Sequence, residues 1–178
     1  MLFDAKPVLT GERVALRPLV EADWNALYAA ASDPLIWEQH PVSDRWREPV
    51  FRVFFEEAMA SGGALVALDR IDGRVVGSSR FQIYDPSAGE VEIGWTFLAR
   101  SHWGGAFNGE MKRLMLDHAF RFADSVVFLI GPQNRRSQRA VEKIGGRLEG
   151  RTERLGRESL VFRLRAADWA ARTAAAAA

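Results

Sequence analysis

The feature that most constrains the fold is the glycine-rich junction RSHWGGAFNGE at residues 100–110. Before it, residues 90–98 alternate apolar and polar side chains, which is typical of a strand. After it, apolar side chains recur every three or four positions, as in an amphipathic helix: Phe107, Met111, Leu114, Met115, His118 and Phe122. The first N–H groups of such a helix have no partner within it, so the junction could hold a phosphate. The alternative is a glycine turn that only shortens the connection.

Composition narrows the function classes. The chain has 178 residues, a formal net charge of +1 and no cysteine. Its length fits one domain with one core, and its charge gives no bulk attraction to nucleic acid or to a membrane surface. The absence of cysteine excludes disulfides, thiolate metal ligands and a cysteine nucleophile, and is compatible with a reducing cytoplasm. Without a signal-peptide pattern in residues 1–10 or a run of ~20 apolar residues, we expect a cytoplasmic protein.

The rest of the chain predicts an α/β fold with a mixed, mainly antiparallel sheet of about seven strands and about four helices. Strands are expected at 13–19, 64–68, 75–84, 90–98, 126–130, 147–154 and 159–165. Helices are expected to begin near residues 21, 50, 107 and 134. In strand 90–98, Val91, Ile93, Trp95 and Phe97 should share one face, and Glu90, Glu92, Gly94 and Thr96 the other. Residues 1–165 form the predicted single domain, and 166–178 an alanine-rich tail, a short helix fraying into a disordered end.

Three motifs in this order resemble the Gcn5-related N-acetyltransferase (GNAT) superfamily. They are LTGERVALRPL at 9–19, WGGAF at 103–107 followed by Glu110, and Asn134-x-x-Ser137 followed by EKIGG at 142–146. The pattern is similar to the branch that acetylates ribosomal-protein N-termini (RimJ/RimL type), and it covers roughly residues 9–165. This resemblance implies an acyl-CoA N-acyltransferase fold with a sheet splayed at the cofactor cleft. It also implies acetyl transfer from acetyl-CoA to a primary amine, on a protein N-terminus or a small molecule.

The resemblance also implies which residues hold the cofactor. The strand backbone at Phe97 and Leu98 would pair with the pantetheine arm. The loop would hold the pyrophosphate through residues Trp103, Gly104, Gly105, Ala106, Phe107 and Asn108. Nearby cations could add charge or form a solvated helix face: Arg100, Lys112, Arg135, Arg136 and Arg139. Asn134 would reach the pantetheine, cap the following helix, or do both.

The sequence departs from the family pattern at several positions. Ser101 stands where Gln or Arg is usual, Ala106 where glycine is common, and Gly146 where phenylalanine is usual. Val141 replaces a tyrosine that serves many members as general acid, which leaves Ser137 to protonate the departing thiolate. These departures keep open an alternative function, a non-catalytic acyl-CoA-binding or regulatory module with the same fold.

The reaction requires a base, because an ammonium must lose a proton before it attacks a thioester; free amines of this kind have pKa values of ~8 to ~10.4. Glu92 is the expected general base, through a water molecule, and Glu90 is the reserve candidate. The alternative is that Glu92 is a surface carboxylate. A backbone N–H near Phe97 or Leu98 would polarise the thioester carbonyl.

The acceptor site is expected at the loop from Trp37 to Trp46, with Trp37, His40 and Glu92 as binding residues. Its aromatic rings could hold a cationic amine by cation–π contact, or simply pack. The three histidines share no metal-ligand spacing, so no metal is expected. The expected partners are the amine acceptor and, as one option, a second copy of the chain; neither nucleic acid nor membrane is expected.

Overall fold

One eight-stranded sheet organises residues 2–154 and 156–177, which the computed structural model describes. The strands are β1 (Leu9–Thr10), β2 (Val14–Pro18), β3 (Ala64–Asp69), β4 (Val75–Asp85), β5 (Glu90–Leu98), β6 (Ser125–Ile130), β7 (Arg147–Arg154) and β8 (Arg157–Arg165). The helices are α1 (Trp24–Ala31), α2 (Glu48–Ser61), α3 (Phe107–Ala119), α4 (Arg135–Lys143) and α5 (Ala166–Ala177).

The strand order is β1-β2-β3-β4-β5-β6-β8-β7, and only β5 and β6 pair in parallel. The predicted mixed, mainly antiparallel sheet is therefore confirmed. It has one strand more than expected, because Leu9–Thr10 pairs with β2 at the edge, and one helix more, because the tail forms α5. None of the helices in the described ranges is long and apolar enough to cross a bilayer.

Two apolar clusters cover the sheet. On one face, α3 packs Met111 and Met115 against Val91 and Ile93 of β5, and the same cluster includes Val141 of α4 and Trp169 of α5. On the other face, α1 and α2 pack against β3 and the end of β5, through Leu27, Phe51, Phe54, Val66 and Phe97. Beyond α1 and α2, that second face carries a cavity of about 420 Å³ lined by residues of β4 to β8.

A bulge at Trp95 divides β5 into two halves, and the side-chain alternation of one half is reversed relative to the other. Trp95 has a φ of +50°, and the register with β4 shifts between Gly94 and Phe97, so β5 contains an extra residue there. The predicted alternation is therefore wrong beyond Ile93. Phe97 joins the cluster under α2 and not the one under α3, and Thr96 turns towards α3.

The same bulge accompanies the opening of the sheet. Strands β5 and β6 pair only along residues Glu90 to Glu92 of β5, and Val127 of β6 lies opposite Glu92. Past this point β5 continues to Leu98 and β6 to Ile130 without pairing to each other. The splayed sheet implied by the resemblance is thus observed.

The first turn of α3 is fixed to the turn between β1 and β2. The Glu110 carboxylate accepts hydrogen bonds from the backbone amides of Glu12 and Arg13, at 3.1 Å from the latter. A Cβ atom at Gly11 would collide with this carboxylate, so a larger residue there would displace the Glu110 side chain from this position.

The alanine-rich tail begins as a helix, as predicted, and is attached to the domain through Trp169, whose indole Nε1 donates to Asp117 at 2.8 Å. The helix runs to Ala177, so it is longer than the short, fraying helix that was predicted, and Ala178 lies outside the described residues. Two further residues also lie outside the described ranges: Met1, in the predicted N-terminal segment without a signal peptide, and Leu155, between β7 and β8.

Candidate functional site

The glycine junction presents free amides at the start of a helix. A short turn at Arg100–His102 follows β5, Gly104 takes the left-handed φ of +73°, and α3 begins at Phe107. None of the six amides of residues 104–109 donates a hydrogen bond to the part of the chain that the structure describes. A Cβ atom added at Gly104, Gly105 or Gly109 would meet nothing within 4 Å. The loop can therefore accept an anion without rearranging protein contacts.

A second helix start lies beside the first. The Asn134 side chain accepts a hydrogen bond from the Ser137 amide at 3.1 Å, which confirms the predicted cap of α4. The Arg136 guanidinium lies 4.0 Å from the centre of the Trp103 ring, so the beginning of α4 contacts the loop that precedes α3. The partly buried hydroxyl of Ser137 has no hydrogen bond to any described residue. The cofactor contacts of Asn134 and Ser137 stay predictions.

The edge of β5 that faces β6 is open where the pantetheine arm is expected. Phe97 and Leu98 pair with β4 through their other edge, opposite Ser78 and Gly77. The Leu98 carbonyl accepts a hydrogen bond from the Trp103 indole at 2.9 Å, which fixes the tryptophan of the loop to the end of the strand. The predicted backbone pairing of Phe97 and Leu98 with the cofactor remains untested.

The expected cations differ in where they lie. Arg100 is at the surface, where it forms an ion pair with Asp33 at 3.3 Å and lies 5.9 Å from the centre of the Trp103 ring, and its cofactor contact stays a prediction. Lys112 points away from the loop and is buried, where its Nζ donates to Thr96 at 2.6 Å, and Thr96 in turn contacts Ser79 at 2.7 Å. Burial lowers the pKa of Lys112 to about 7. This lysine therefore cannot add charge at the loop, contrary to the expectation from sequence.

Glu92 lies in the floor of the cavity on the second face, next to the point where β5 and β6 separate. Its side chain is buried, and Arg154 donates to both carboxylate oxygens. Burial raises the pKa of Glu92, although the Arg154 hydrogen bond and charge oppose this. A desolvated carboxylate with a raised pKa is suited to receive a proton near neutral pH. Its catalytic role remains a prediction.

Glu90, the reserve candidate, lines the same cavity and also contacts protein groups. It forms an ion pair with Arg163, and Ser125 donates to it at 3.2 Å. The cavity also contains Asp85 and Glu153 at its rim, and an apolar floor of Val127, Leu129 and Val161.

The structure does not bring Trp37 to an open surface. Trp37 is 3% exposed, its indole donates to the Ala31 carbonyl at 2.8 Å, and its ring packs against Phe97. The cation nearest its ring belongs to the protein itself, since the Arg45 guanidinium lies 5.2 Å from the ring centre. The acceptor contact expected of Trp37 stays a prediction, and the burial of the ring does not support it.

His40 is partly exposed and lines a second cavity of about 260 Å³ with Pro41 and Gly131. Its ring contacts the Val42 amide at 3.0 Å and the Arg45 guanidinium at 3.1 Å. Burial, followed by the charge of Arg45, lowers the pKa of His40 to about 3, so this ring is neutral at physiological pH. Its proposed acceptor contact is untested.

Two of the positions that depart from the family pattern, Val141 and Gly146, have a packing explanation. Val141, which stands where a general-acid tyrosine is common, is a buried core residue. A Cβ atom at Gly146 would collide with the Val141 side chain. Val141 thus fills the space beside Gly146 and cannot protonate a leaving group.

Sequence reasoning did not single out Arg45, Arg80, Gln82 or Arg154 as site residues. Arg154 lies 62 residues from Glu92 in the chain, so no local pattern links them. Arg80 occurs at the centre of a strand, between Ser79 and Phe81, and a charged residue in that position is the one signal that could have indicated it.

Comparison with known proteins identifies similar chains. The sequence model of the acetyltransferase (GNAT) domain matches residues 13–147. The fold is similar to that of an acetyltransferase from Agrobacterium tumefaciens str. C58. The two share 28% sequence identity and a TM-score of 0.70, and the match covers 92% of this chain and 97% of that chain. The fold is also similar to that of a GCN5-related N-acetyltransferase from Brucella melitensis, with 22% identity, a TM-score of 0.80, and coverage of 93% and 81%.

A third similar structure is Mycobacterium smegmatis RimJ in complex with CoA-disulfide, with 21% identity, a TM-score of 0.71, and coverage of 92% and 89%. No curated protein sequence matches the chain.

Proposed function

Because the chain belongs to the acetyltransferase (GNAT) domain family, it is an N-acetyltransferase, and we propose that acetyl-CoA is its donor and a primary amine its acceptor. The amine would be on a small molecule or on a protein N-terminus. The observation that carries this proposal is the set of six free amides at residues 104–109, next to the open edge of β5.

The residues present fit coenzyme A. Amides without protein acceptors at a helix start suit a diphosphate, and the unpaired edge of β5 offers backbone groups to an extended arm. The residues that would hold the coenzyme are therefore the loop at 103–108, the strand end at Phe97 and Leu98, and the helix start at Asn134 and Ser137. When bound, acetyl-CoA supplies an acetyl group activated as a thioester. That RimJ is described in complex with CoA-disulfide supports the choice of ligand.

Glu92 would remove the proton from the acceptor ammonium, through a water molecule. Its burial makes the carboxylate a stronger base than a free glutamate, and the ion pair with Arg154 keeps it ionised and oriented. Ser137 is the group proposed to donate a hydrogen bond to the departing thiolate. The cytoplasmic location and the optional homodimer remain expectations.

Two measurements test the proposal. Acetyl-CoA is titrated into the protein by calorimetry, and thiol release is then followed with a panel of primary amines and peptides. Saturable binding together with amine-dependent thiol release supports the proposed activity. Binding without turnover on any amine favours the alternative, an acyl-CoA-binding module, and absence of binding overturns both.

A further inference from the structure

Three buried side-chain polar atoms have no hydrogen-bond partner among the described residues, and all three lie close together on β4. They are Nε and Nη2 of Arg80 and Oε1 of Gln82. An unpaired buried polar group destabilises the protein, and a charged group does so more strongly. Because Arg80 and Gln82 are two positions apart on one strand, their side chains share a face. Unpaired donors and an unpaired acceptor on one face indicate a ligand that supplies their missing hydrogen-bond partners.

Arg80 is a desolvated cation held between aromatic rings. It is 4% exposed, and its guanidinium lies 4.7 Å from the centre of the Trp95 ring and 5.7 Å from that of Phe54. Its Nε and Nη2 groups donate no hydrogen bond to any residue in the described ranges. Burial lowers the pKa of Arg80 to about 10, so it still carries its charge at neutral pH.

Arg45 supplies a second buried cation beside the first. It is 9% exposed, and its guanidinium lies 4.8 Å from the centre of the same Phe54 ring. Its hydrogen-bond partner is His40, a neutral ring, and not a carboxylate. Glu57 and Glu92 act on Arg80 through space, but Glu57 is exposed and Glu92 is bonded to Arg154. The two arginines therefore create a positive field without a bonded counterion among the residues that the structure describes.

This field lies next to the proposed general base. Gln82 is paired in register with Glu92, and Arg80 is paired with Gly94, two residues further along β5. Two residues of a strand span about 7 Å. Gly94 and Trp95 are partly exposed, and a Cβ atom at Gly94 would meet only the Glu92 carboxylate, at 3.6 Å. The segment of β5 between the base and the arginine is thus partly exposed to solvent.

We propose that Arg80 binds an oxyanion of the acetyl acceptor, a carboxylate or a phosphate, with Arg45 adding charge and Gln82 accepting a hydrogen bond from the acceptor amine. This inference rests on the proposed function. The acceptor is then a small zwitterionic amine whose amine and oxyanion are a few bonds apart, as in an amino acid. A protein N-terminus does not fit, because its own carboxyl group is part of a peptide bond.

The first test compares matched acceptors by acetyl-CoA-dependent thiol release. Phenylalanine is compared with phenylalaninamide, O-phosphoethanolamine with ethanolamine, and both acids with a peptide that has a free N-terminus and no acidic residue. We expect kcat/KM to be at least about tenfold higher for one acid than for its neutral partner, as for a charged hydrogen bond. The pair that shows this preference identifies the oxyanion as carboxylate or phosphate. Equal rates within both pairs, or faster acetylation of the peptide, would overturn the inference.

Variants assign the preference to Arg80. In Arg80→Gln the ratio of acid to neutral partner should fall to near one, whereas Arg52→Gln should keep it. Arg52 is the matched control, because its guanidinium also lies over a tryptophan, 3.9 Å from the ring centre of Trp24, but at the exposed surface. If Arg80→Gln does not fold, Arg80→Lys is used, because it keeps the positive charge and loses the planar guanidinium group with its paired N–H donors. Arg80→Lys should reduce the ratio of acid to neutral partner and leave KM for acetyl-CoA unchanged. If the Arg80 variant keeps the ratio of the parent protein, the assignment to Arg80 is overturned.

A binding measurement separates this inference from the proposed function. Phenylpropanoate and ethyl phosphate, which contain no amine, are titrated while tryptophan fluorescence is followed, since Trp95 lies against Arg80. Saturable binding of one of them that weakens about tenfold in Arg80→Gln supports the oxyanion site even if no amine is acetylated. If amines are acetylated but neither anion binds, the oxyanion site is wrong and the acetyltransferase activity stands.

Discussion

Nη1 of Arg154 donates to both carboxylate oxygens of Glu92, at 2.9 and 2.7 Å. The contact joins β7 to β5 at the last residue before β5 and β6 separate. Two opposing effects act on the carboxylate: burial raises the pKa of Glu92, and Arg154 lowers it, with burial the larger. The arginine therefore sets how strong a base this carboxylate can be, and it also fixes where the carboxylate points.

Replacement of Glu92 tests the base directly. Glu92→Gln should lower kcat by about 10²-fold, in the range of general-base catalysis, and remove the acidic limb of the pH profile. Acetyl-CoA affinity, measured by calorimetry, should stay nearly unchanged because Glu92 lies outside the loop. Glu90→Gln is the matched control and should retain that limb. If Glu90→Gln shows the loss instead, the reserve candidate is the base.

Replacement of Arg154 should shift the pH profile. In Arg154→Gln the interactions that lower the pKa of Glu92 are lost, so that pKa should rise further. Because the base must be ionised, the acidic limb of kcat/KM should move to higher pH. Arg151→Gln removes an ion pair with Glu158 at the exposed end of the same strand and should leave the limb in place. If the acidic limb of the pH profile lies at the same pH in Arg154→Gln and Arg151→Gln, the role given to Arg154 is contradicted.

The loop amides can be tested one at a time. Ala106 has a φ of −77°, which proline accepts, so Ala106→Pro removes one N–H group while the backbone can keep its shape. Loss of one charge-assisted hydrogen bond should weaken acetyl-CoA binding by about tenfold or more in calorimetry. Ala106→Ser retains the amide and should bind like the parent. Equal affinity of the proline variant and the parent would mean that this amide does not hold the diphosphate.

Lys112 should give the protein a pH-dependent stability. The pKa of Lys112 is about 7 in the folded chain and 10.5 for an unperturbed lysine, so between these values the unfolded chain binds more protons. The free energy of unfolding should therefore rise from pH 7 to pH 10.5, by an amount on the order of several kcal/mol.

Lys112→Met should remove this rise. Urea unfolding at a series of pH values measures it, and the variant should gain most over the parent at pH 7 and below. Lys143→Met, at the exposed end of α4, is the control and should follow the parent. Parallel curves for Lys112→Met and the parent would show that Lys112 is already neutral or solvated.

Local patterns were sufficient for most of the fold. The glycine junction, the buried face of α3 and the Asn134 cap of α4 depend on residues near one another in sequence, so their periods and turn residues identify them. The first strand is only two residues long, Leu9–Thr10, which is too short to show any period. The family resemblance added the splayed sheet, which no local period indicates.

The site was less predictable because its contacts are long-range. The bulge at Trp95 gives no sequence signal, since tryptophan rarely adopts a positive φ, yet it reverses the facing of Thr96 and Phe97. Helical spacing alone could not show that Lys112 turns inward to Thr96 and not outward to the loop. The unpaired atoms of Arg80 are visible only once the neighbouring strands and α2 are in place.

The carboxylate of Glu110 is held by the amide of Arg13, 97 residues earlier in the chain. Such a distant contact adds a loop-closure cost to folding, because the ends of a long segment must be brought together. If the loop binds acetyl-CoA as proposed, the turn at residues 11–13 supports that binding from the beginning of the polypeptide. A substitution at this remote turn should therefore weaken the affinity for acetyl-CoA.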